Sequence, residues 1–310
     1  MKSLMLFLLV LSTSLPASAQ ESEWHKLSVE AVSLYQQKQY DRAVEVTKNA
    51  LQIAEQTKGP DHLEVALSLN TLGTLYIAQR QYAQAEPILK RALAIREKAL
   101  GPDHPDVSQS LSNLASLYQE QNQYALAEPL LKRSLAIREK TIGPDDPKVA
   151  ITLNNLATIY QDQGHYAQAE SMLKRALKIR ENALGPNHPD VAQSLDNLAS
   201  LYRAERQYTQ AESLLKRALA IREKVLGPDH PDVSTILNNL AMIYQDQGQY
   251  AQAEPLLKRA LAIREKILGP NHPGVAQILE NLAALFRKTG REVDAKNLEK
   301  RVVAIRATKL

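Results

Sequence analysis

Apolar and polar residues follow one another along this chain with the spacing of amphipathic helices. In the stretch 106–142, apolar residues recur at steps of four, three, one and three, at Val107, Leu111, Leu114, Ala115 and Tyr118. Such steps place side chains on one face of an α-helix. Polar residues interrupt the stripe at 121–123, and a second stripe starts at Tyr124. The pattern predicts a helix A over 105–121 and a helix B over 124–141.

This two-helix pattern returns along the chain at a fixed distance. A segment close to Leu-Gly-Pro-Asp-His-Pro-Asp-Val recurs every 42 residues, with its glycine at Gly59, Gly101, Gly143, Gly185, Gly227 and Gly269. A fixed period of this size is typical of stacked repeats that bury their apolar faces against their neighbours. We therefore predict an all-α domain over 20–310. It contains seven antiparallel helix pairs, at 24–57, 64–100, 106–142, 148–184, 190–226, 232–268 and 274–308.

The segment between the pairs carries signals that end one helix and start the next. Gly101 suits a left-handed cap after helix B, and Pro105 suits the first position of a helix. A histidine also recurs there, at His62, His104, His188, His230 and His272, with Asp146 in its place at the start of the fourth unit. Copies one repeat apart cannot converge on one metal ion. We therefore expect these side chains to cap helices, and we expect no metal site.

The same residues resemble a known family. Leu111, Leu114, Ala115, Tyr118, Tyr124, Ala127, Leu131 and Ser134 match the large, small and aromatic positions of tetratricopeptide repeats. The length of 42 residues and the wording Asn-Leu-Ala-x-Leu-Tyr are similar to the kinesin light chain type. The resemblance implies a right-handed superhelical solenoid whose A helices line a concave groove. The first and last pairs depart from the pattern, as at Glu292 and Val302, and are expected to act as caps.

A ladder of asparagines is the sharpest candidate for a binding site. It consists of Asn113, Asn155, Asn197, Asn239 and Asn281, each inside a helix A. Asparagine is a poor helix former, but its amide can both donate and accept hydrogen bonds. The resemblance implies that these amides clamp the backbone of a bound peptide. Partner specificity would come from neighbouring positions, which include Asn154, Asn238, Gln161, Arg203 and Gln245. In the alternative interpretation, each amide bonds a neighbouring helix.

Other recurring residues favour structure over chemistry. The tyrosines lie at core positions of the repeat. The periodic Lys-Arg pairs, such as Lys132-Arg133, are compatible with a nucleic-acid surface, but acidic residues are interleaved with them and the formal net charge is only +4. A solvated helix face is the favoured reading. There is no cysteine, and no set of nucleophile, base and orienting residue is present. We predict a non-enzymatic protein without cofactors.

The first residues predict export. Lys2 is followed by an apolar run from Leu4 to Leu11 and by Ala17-Ser18-Ala19, which is the pattern of a signal peptide over 1–19. A buried N-terminal helix is the alternative. The sequence as a whole predicts a periplasmic or secreted adaptor that binds a segment of a protein partner in the groove, without an integral membrane segment. A structural spacer in an envelope assembly is the second reading, and a nucleic-acid binder or an enzyme is less favoured.

Overall fold

The computed structural model describes residues 23–307. Within that range the chain forms fourteen α-helices and no strand. The helices are α1 (Glu23–Gln36), α2 (Tyr40–Lys58), α3 (Leu63–Ala78), α4 (Tyr82–Leu100), α5 (Pro105–Glu120), α6 (Tyr124–Ile142), α7 (Pro147–Asp162), α8 (Tyr166–Leu184), α9 (Pro189–Ala204), α10 (Tyr208–Leu226), α11 (Pro231–Asp246), α12 (Tyr250–Leu268), α13 (Pro273–Lys288) and α14 (Glu292–Ala307). Odd-numbered helices are the A helices and even-numbered helices are the B helices.

The chain divides into two compact units, and the boundary falls between Ile159 and Tyr160, within α7. In the first unit α1 packs on α2, α3 on α4 and α5 on α6, and each pair also contacts the next pair. In the second unit the same holds for α9 with α10, α11 with α12 and α13 with α14. The all-α fold of consecutive helix pairs is therefore confirmed. The handedness of the superhelix and the signal peptide over 1–19, which lies outside the described residues, stay predictions.

Each connector between pairs holds a side chain, a histidine in all but one of them, that caps the helix after it. The Nδ1 atom of His104 accepts a hydrogen bond from the backbone N–H of Asp106 at 3.1 Å. The other connector histidines, His62, His188, His230 and His272, make the same bond two residues ahead. In the third connector Asp146 accepts from the N–H of Lys148 at 2.7 Å. The predicted capping role is confirmed.

The glycine that ends each B helix differs in one detail from the prediction. Gly101 has the expected positive φ of 86°, but its ψ of 158° lies far from the left-handed helical region. This combination of angles is open almost only to glycine. The chain therefore leaves α4 in an extended direction, which allows His104 to reach the start of α5.

The predicted apolar stripes form the core, both within a pair and between pairs. Leu131 of α6 is completely buried, as are Val107 and Leu111 of α5. Leu93, from the preceding helix B, packs against the cluster of Val107, Leu111 and Ile137. A helix pair therefore depends on its neighbour to cover its apolar surface.

Candidate functional site

The ladder asparagines lie on one face of the A helices, which we call the A-helix face. In the first unit the Nδ2 atom of Asn113 donates a hydrogen bond to Oδ1 of Asn70, in the preceding helix A, at 3.2 Å. The Oδ1 atom of Asn113 accepts from Nε2 of Gln109 at 2.9 Å. Asn70 itself is buried and donates to the Ser110 hydroxyl at 2.9 Å. The Asn113 amide is thus held in place from two sides.

The second unit repeats this arrangement. The Nδ2 atom of Asn239 donates to Oδ1 of Asp196 at 2.8 Å. Likewise, Nδ2 of Asn281 donates to Oδ1 of Asn238 at 2.7 Å. Each bond joins a helix A to the preceding helix A. At three of its five members, Asn113, Asn239 and Asn281, the ladder therefore braces neighbouring helices, and its action on a peptide stays a prediction.

The neighbouring predicted residues are also engaged in the stack. The Nε2 atom of Gln245 donates to the backbone carbonyl of Asn281 at 3.3 Å, as Gln119 does to the carbonyl of Asn155 at 3.0 Å. Arg203 forms an ion pair with Asp246 at 2.6 Å. These contacts, too, join one helix A to the next.

The remaining predicted residues lie in α7 and α9. Asn197 accepts a hydrogen bond from Gln193 at 3.0 Å, and Asn154 is buried in α7, where Gln161 is half-buried. Specificity-determining side chains at these positions would therefore have to exchange structural contacts for a ligand.

Asp196 is the ladder neighbour with the most unusual electrostatics. It occupies the place of Asn70 and Asn238, so a carboxylate stands where those positions carry a neutral amide. Burial raises the pKa of Asp196, while the hydrogen bond from Asn239 and the charge of Arg222 oppose that rise. At this rung of the second unit, burial therefore disfavours the charged form of the carboxyl group that stands in place of an amide.

A row of buried arginines was missed by the sequence analysis. Arg138 in α6 donates from Nε to the Ser108 hydroxyl at 3.0 Å, and from Nη1 to the Thr152 hydroxyl at 2.7 Å and the Lys148 carbonyl at 3.0 Å. It therefore joins its own helix to the A helices on both sides. Burial lowers the pKa of Arg138 to about 10, which keeps the side chain charged at neutral pH.

An arginine recurs every 42 residues at the position of Arg138. The other buried arginines of this row are Arg96, Arg180 and Arg222, whereas Arg264 is half-buried. Arg96 and Arg180 keep the carbonyl and hydroxyl partners of Arg138 on the following helix A. At Arg222 the hydroxyl is replaced by Ile236, and the guanidinium pairs with Asp232 instead. The recurring Ile-Arg-Glu, followed by a hydroxyl residue 14 positions after Arg96, Arg138 and Arg180, was the available signal.

The Lys-Arg pairs of the B helices are neutralised by carboxylates. Lys132 pairs with Glu128 at 2.7 Å within α6, whereas Arg133 pairs with Glu97 of the preceding helix B at 2.6 Å. Arg133 also donates to the Pro102 carbonyl at 3.0 Å. These contacts recur at the other repeats, as at Lys216 and Arg217. The basic band is therefore a set of braces, which leaves little unpaired charge for a phosphate backbone.

The tyrosines of the A helices also link neighbouring helix pairs. Tyr118 is buried up to its hydroxyl, which donates to Glu86 of the preceding helix B at 3.0 Å. Tyr202 and Tyr244 make the same contact with Glu170 and Glu212. The predicted core role of the rings is confirmed, and each hydroxyl adds a bond between repeats that the sequence analysis did not foresee.

Among residues 23–307, no group of three or more histidine, aspartate or glutamate side chains is placed to hold a metal ion. None of the helices in that range has the length and apolar character that crossing a bilayer requires.

Comparison with known proteins places this geometry in a family. The tetratricopeptide repeat pattern matches residues 27–98, 72–140, 113–182, 148–224, 190–266 and 232–308. The kinesin light chain protein of Podosopora anserina, built of nearly identical TPR-like repeats, is 32% identical, with a TM-score of 0.57 over 66% of this chain and 98% of its own. BtubC (BKLC) from P. vanneervenii is 25% identical, with a TM-score of 0.61 over 74% of this chain and 91% of its own.

More distant proteins share only the fold. The apo form of RapI, at 16% identity, has a TM-score of 0.68 over 92% of this chain and 98% of its own. No curated protein sequence matches significantly. The family pattern nevertheless covers almost all of the described residues. The chain belongs to the tetratricopeptide repeat family.

Proposed function

We propose that this protein is an exported, non-enzymatic adaptor that binds an extended segment of a protein partner along the A-helix face. Tetratricopeptide repeats are a scaffold for protein interaction, so a protein partner is the reading that the family supports. The signal peptide pattern over 1–19 supports export. A periplasmic or secreted location follows from that pattern.

The observation that carries the proposal is the state of the ladder amides. An asparagine amide offers two N–H donors and an oxygen with two lone pairs. The bond from Asn113 to Asn70 uses one N–H, and the bond from Gln109 uses one lone pair. Asn113 is half-buried, and the two bonds hold its amide in a fixed orientation. A pre-ordered amide loses less conformational entropy when it binds a backbone, which favours affinity.

The residues that follow the ladder provide the part of the surface that differs between repeats. Three positions after Asn197, Asn239 and Asn281 stand Ser200, Met242 and Ala284. Ser200 and Ala284 are exposed. A bound segment along the ladder would pass over these side chains, so their size decides what fits.

The test blocks this surface without touching a brace. Ser200→Trp combined with Ala284→Trp fills the path on α9 and α13, and the control Ala220→Trp with Ala262→Trp places the same side chain at exposed positions of α10 and α12. The mature protein serves as bait for the envelope fraction of its own cells, and the captured protein is identified and then purified. We expect the face variant to weaken its affinity by about tenfold or more, or about 1.4 kcal/mol, and the control to leave it unchanged.

The outcomes separate the readings. Equal affinity of both variants would exclude the A-helix face as the binding surface and would favour a spacer. Sequencing the N-terminus of the bait tests export separately, because cleavage after Ala19 leaves a chain that begins at Gln20. An uncleaved chain that stays inside the cell would refute the export part alone.

A further inference from the structure

The last described helix, α14, departs from the other B helices at a position that reverses a charge. The other B helices from α4 to α12 carry a glutamate and, four residues later, a lysine at 2.7 Å: Glu86–Lys90, Glu128–Lys132, Glu170–Lys174, Glu212–Lys216 and Glu254–Lys258. In α14 the lysine is kept as Lys300, but Lys296 stands in place of the glutamate. Two like charges one helical turn apart repel each other.

The reversed charge lies on the face with which a helix B meets the next helix A. In the second unit, Glu212 at this position accepts a hydrogen bond from the hydroxyl of Tyr244 in the following repeat. Leu261, on the same face of α12, packs against Val275 and Leu279 of α13. Its counterpart in α14 is Val303, which is 67% exposed. Among the described residues, no helix covers this face of α14.

The uncovered face forms a stripe that we call the end face, consisting of Val293, Lys296, Lys300 and Val303. Its members follow at steps of three, four and three, which place them on one side of the helix. Val293 is 74% exposed. Lys296, Glu299, Lys300 and Val303 line an open depression of about 360 Å³. The end face therefore has two lysines at its centre and an exposed valine at each end.

The charge on the end face is not neutralised within the part of the chain that the structure describes. Other cations nearby are paired: Arg287 with Glu299 at 2.8 Å, Arg301 with Glu265 at 2.5 Å and Arg306 with Glu280 at 2.5 Å. No ion pair of the described residues includes Lys296 or Lys300. A terminal repeat needs a polar outer face for solubility, but mixed charges would supply that without repulsion.

We propose that the end face docks an acidic amphipathic helix of a protein partner, with an apolar side chain over Val303 and carboxylates at Lys296 and Lys300. The charge complementarity selects this occupant, because the end face of a second copy would bring like charges. This surface is distinct from the A-helix face, so the two proposals stand or fall separately.

The probe is a synthetic helical peptide with leucines along one side and pairs of glutamates four residues apart beside them. A matched peptide has lysine in place of each glutamate. Binding of both to the full mature chain is measured by fluorescence anisotropy at two salt concentrations. We expect only the acidic peptide to bind, with an affinity that falls as salt rises, since ions screen exposed charges.

Three variants distinguish an end face that docks a partner from one that only contributes to solubility. Lys296→Glu with Lys300→Glu should weaken binding by about tenfold or more. Lys178→Glu with Lys224→Glu, at exposed positions of α8 and α10, makes the same change in net charge and should leave binding unaffected. Lys296→Glu alone restores the glutamate–lysine spacing of the other B helices, so binding should fall while the melting temperature stays the same or rises.

Three results would count against the proposal. One is that the acidic peptide does not bind the unaltered chain. Another is that it binds the two double variants equally well. A loss of binding in Lys296→Glu that is accompanied by a lower melting temperature would also count against it, because the effect would then come from the fold of α14.

Discussion

At the scale of single residues, the asparagine ladder shows why a poor helix former recurs inside helices. The amide of Asn113 can accept from Gln109 and donate to Asn70 at the same time. A leucine or alanine there could make neither bond, and a carboxylate could not donate. The residue type therefore follows from its place between two A helices, and the same two bonds fix the orientation of the amide.

The link between residue type and position in the ladder can be tested at Asp196 by changing the pH. Burial raises its pKa above the ordinary value of 3.8. The folded state then binds the proton of Asp196 more tightly than the unfolded state does. The stabilisation that comes from the protonated carboxyl group is therefore complete below pH 3.8 and is lost as the pH rises through the folded pKa. We predict that Asp196→Asn is more stable than the unaltered protein at neutral pH, and that this gain disappears in acid. Urea unfolding across the pH range measures it.

The control for this variant is Asp246→Asn, which removes an exposed carboxylate from the same unit and breaks its ion pair with Arg203. It should give no gain at neutral pH. A loss of stability in Asp196→Asn at neutral pH would show that the attraction between Asp196 and Arg222 outweighs the cost of burial.

Single residues also mark how far the sequence could be interpreted. Leu131 and Tyr118 were predictable because apolar spacing reports burial directly. Arg138 was not, because a charged residue in a helix is read as exposed, and its partners Ser108 and Thr152 lie 30 residues before and 14 after it. The hydrogen bonds that brace the ladder could not be predicted either, since a bond over 43 residues depends on how the repeats stack.

At the scale of the element, each helix A from α3 onward starts at a side-chain cap whose chemistry can be exchanged. His104 caps α5 through Nδ1, and Asp146 does the same for α7 through a carboxylate oxygen. We predict that His104→Ala lowers the free energy of unfolding by about 0.5–2 kcal/mol, because a backbone donor is left without its partner. Urea denaturation measures the change.

His104→Asp is the matched variant, because the third connector uses aspartate at this place. It should keep most of the stability that His104→Ala loses. Equal losses in the two variants would mean that the imidazole acts by packing and that the hydrogen bond to the N–H of Asp106 contributes little.

The contact between a helix A and the preceding helix B persists even where its chemistry changes. In the last pair Phe286 replaces the tyrosine, so no hydroxyl is available for Glu254. Arg291 donates to Glu254 instead, at 2.9 Å, and its guanidinium lies 3.8 Å from the centre of the Phe286 ring. A different donor thus serves the same carboxylate, which indicates that the link between neighbouring pairs matters more than the residue that makes it.

At the scale of the whole molecule, the braces in each unit reach only to the adjacent helix pair. The bond from Tyr118 spans 32 residues and that from Arg133 spans 36. In such an array, stability is the sum of each repeat and its contacts with immediate neighbours. Damage to one pair should therefore weaken that pair and its neighbours, while distant pairs keep their own stability.

Leu131→Ala tests this locality. Leu131 is completely buried in α6, so its truncation should cost about 2–5 kcal/mol. We predict that hydrogen exchange, followed by mass spectrometry, becomes faster in α5 and α6 and in the pairs beside them, and stays unchanged in α11–α14. Leu126→Ala on the same helix is the control, because Leu126 is half exposed and its truncation should change neither stability nor exchange. Faster exchange throughout α11–α14 would show that the repeats unfold as one cooperative body, since nearest-neighbour contacts alone cannot carry the effect that far.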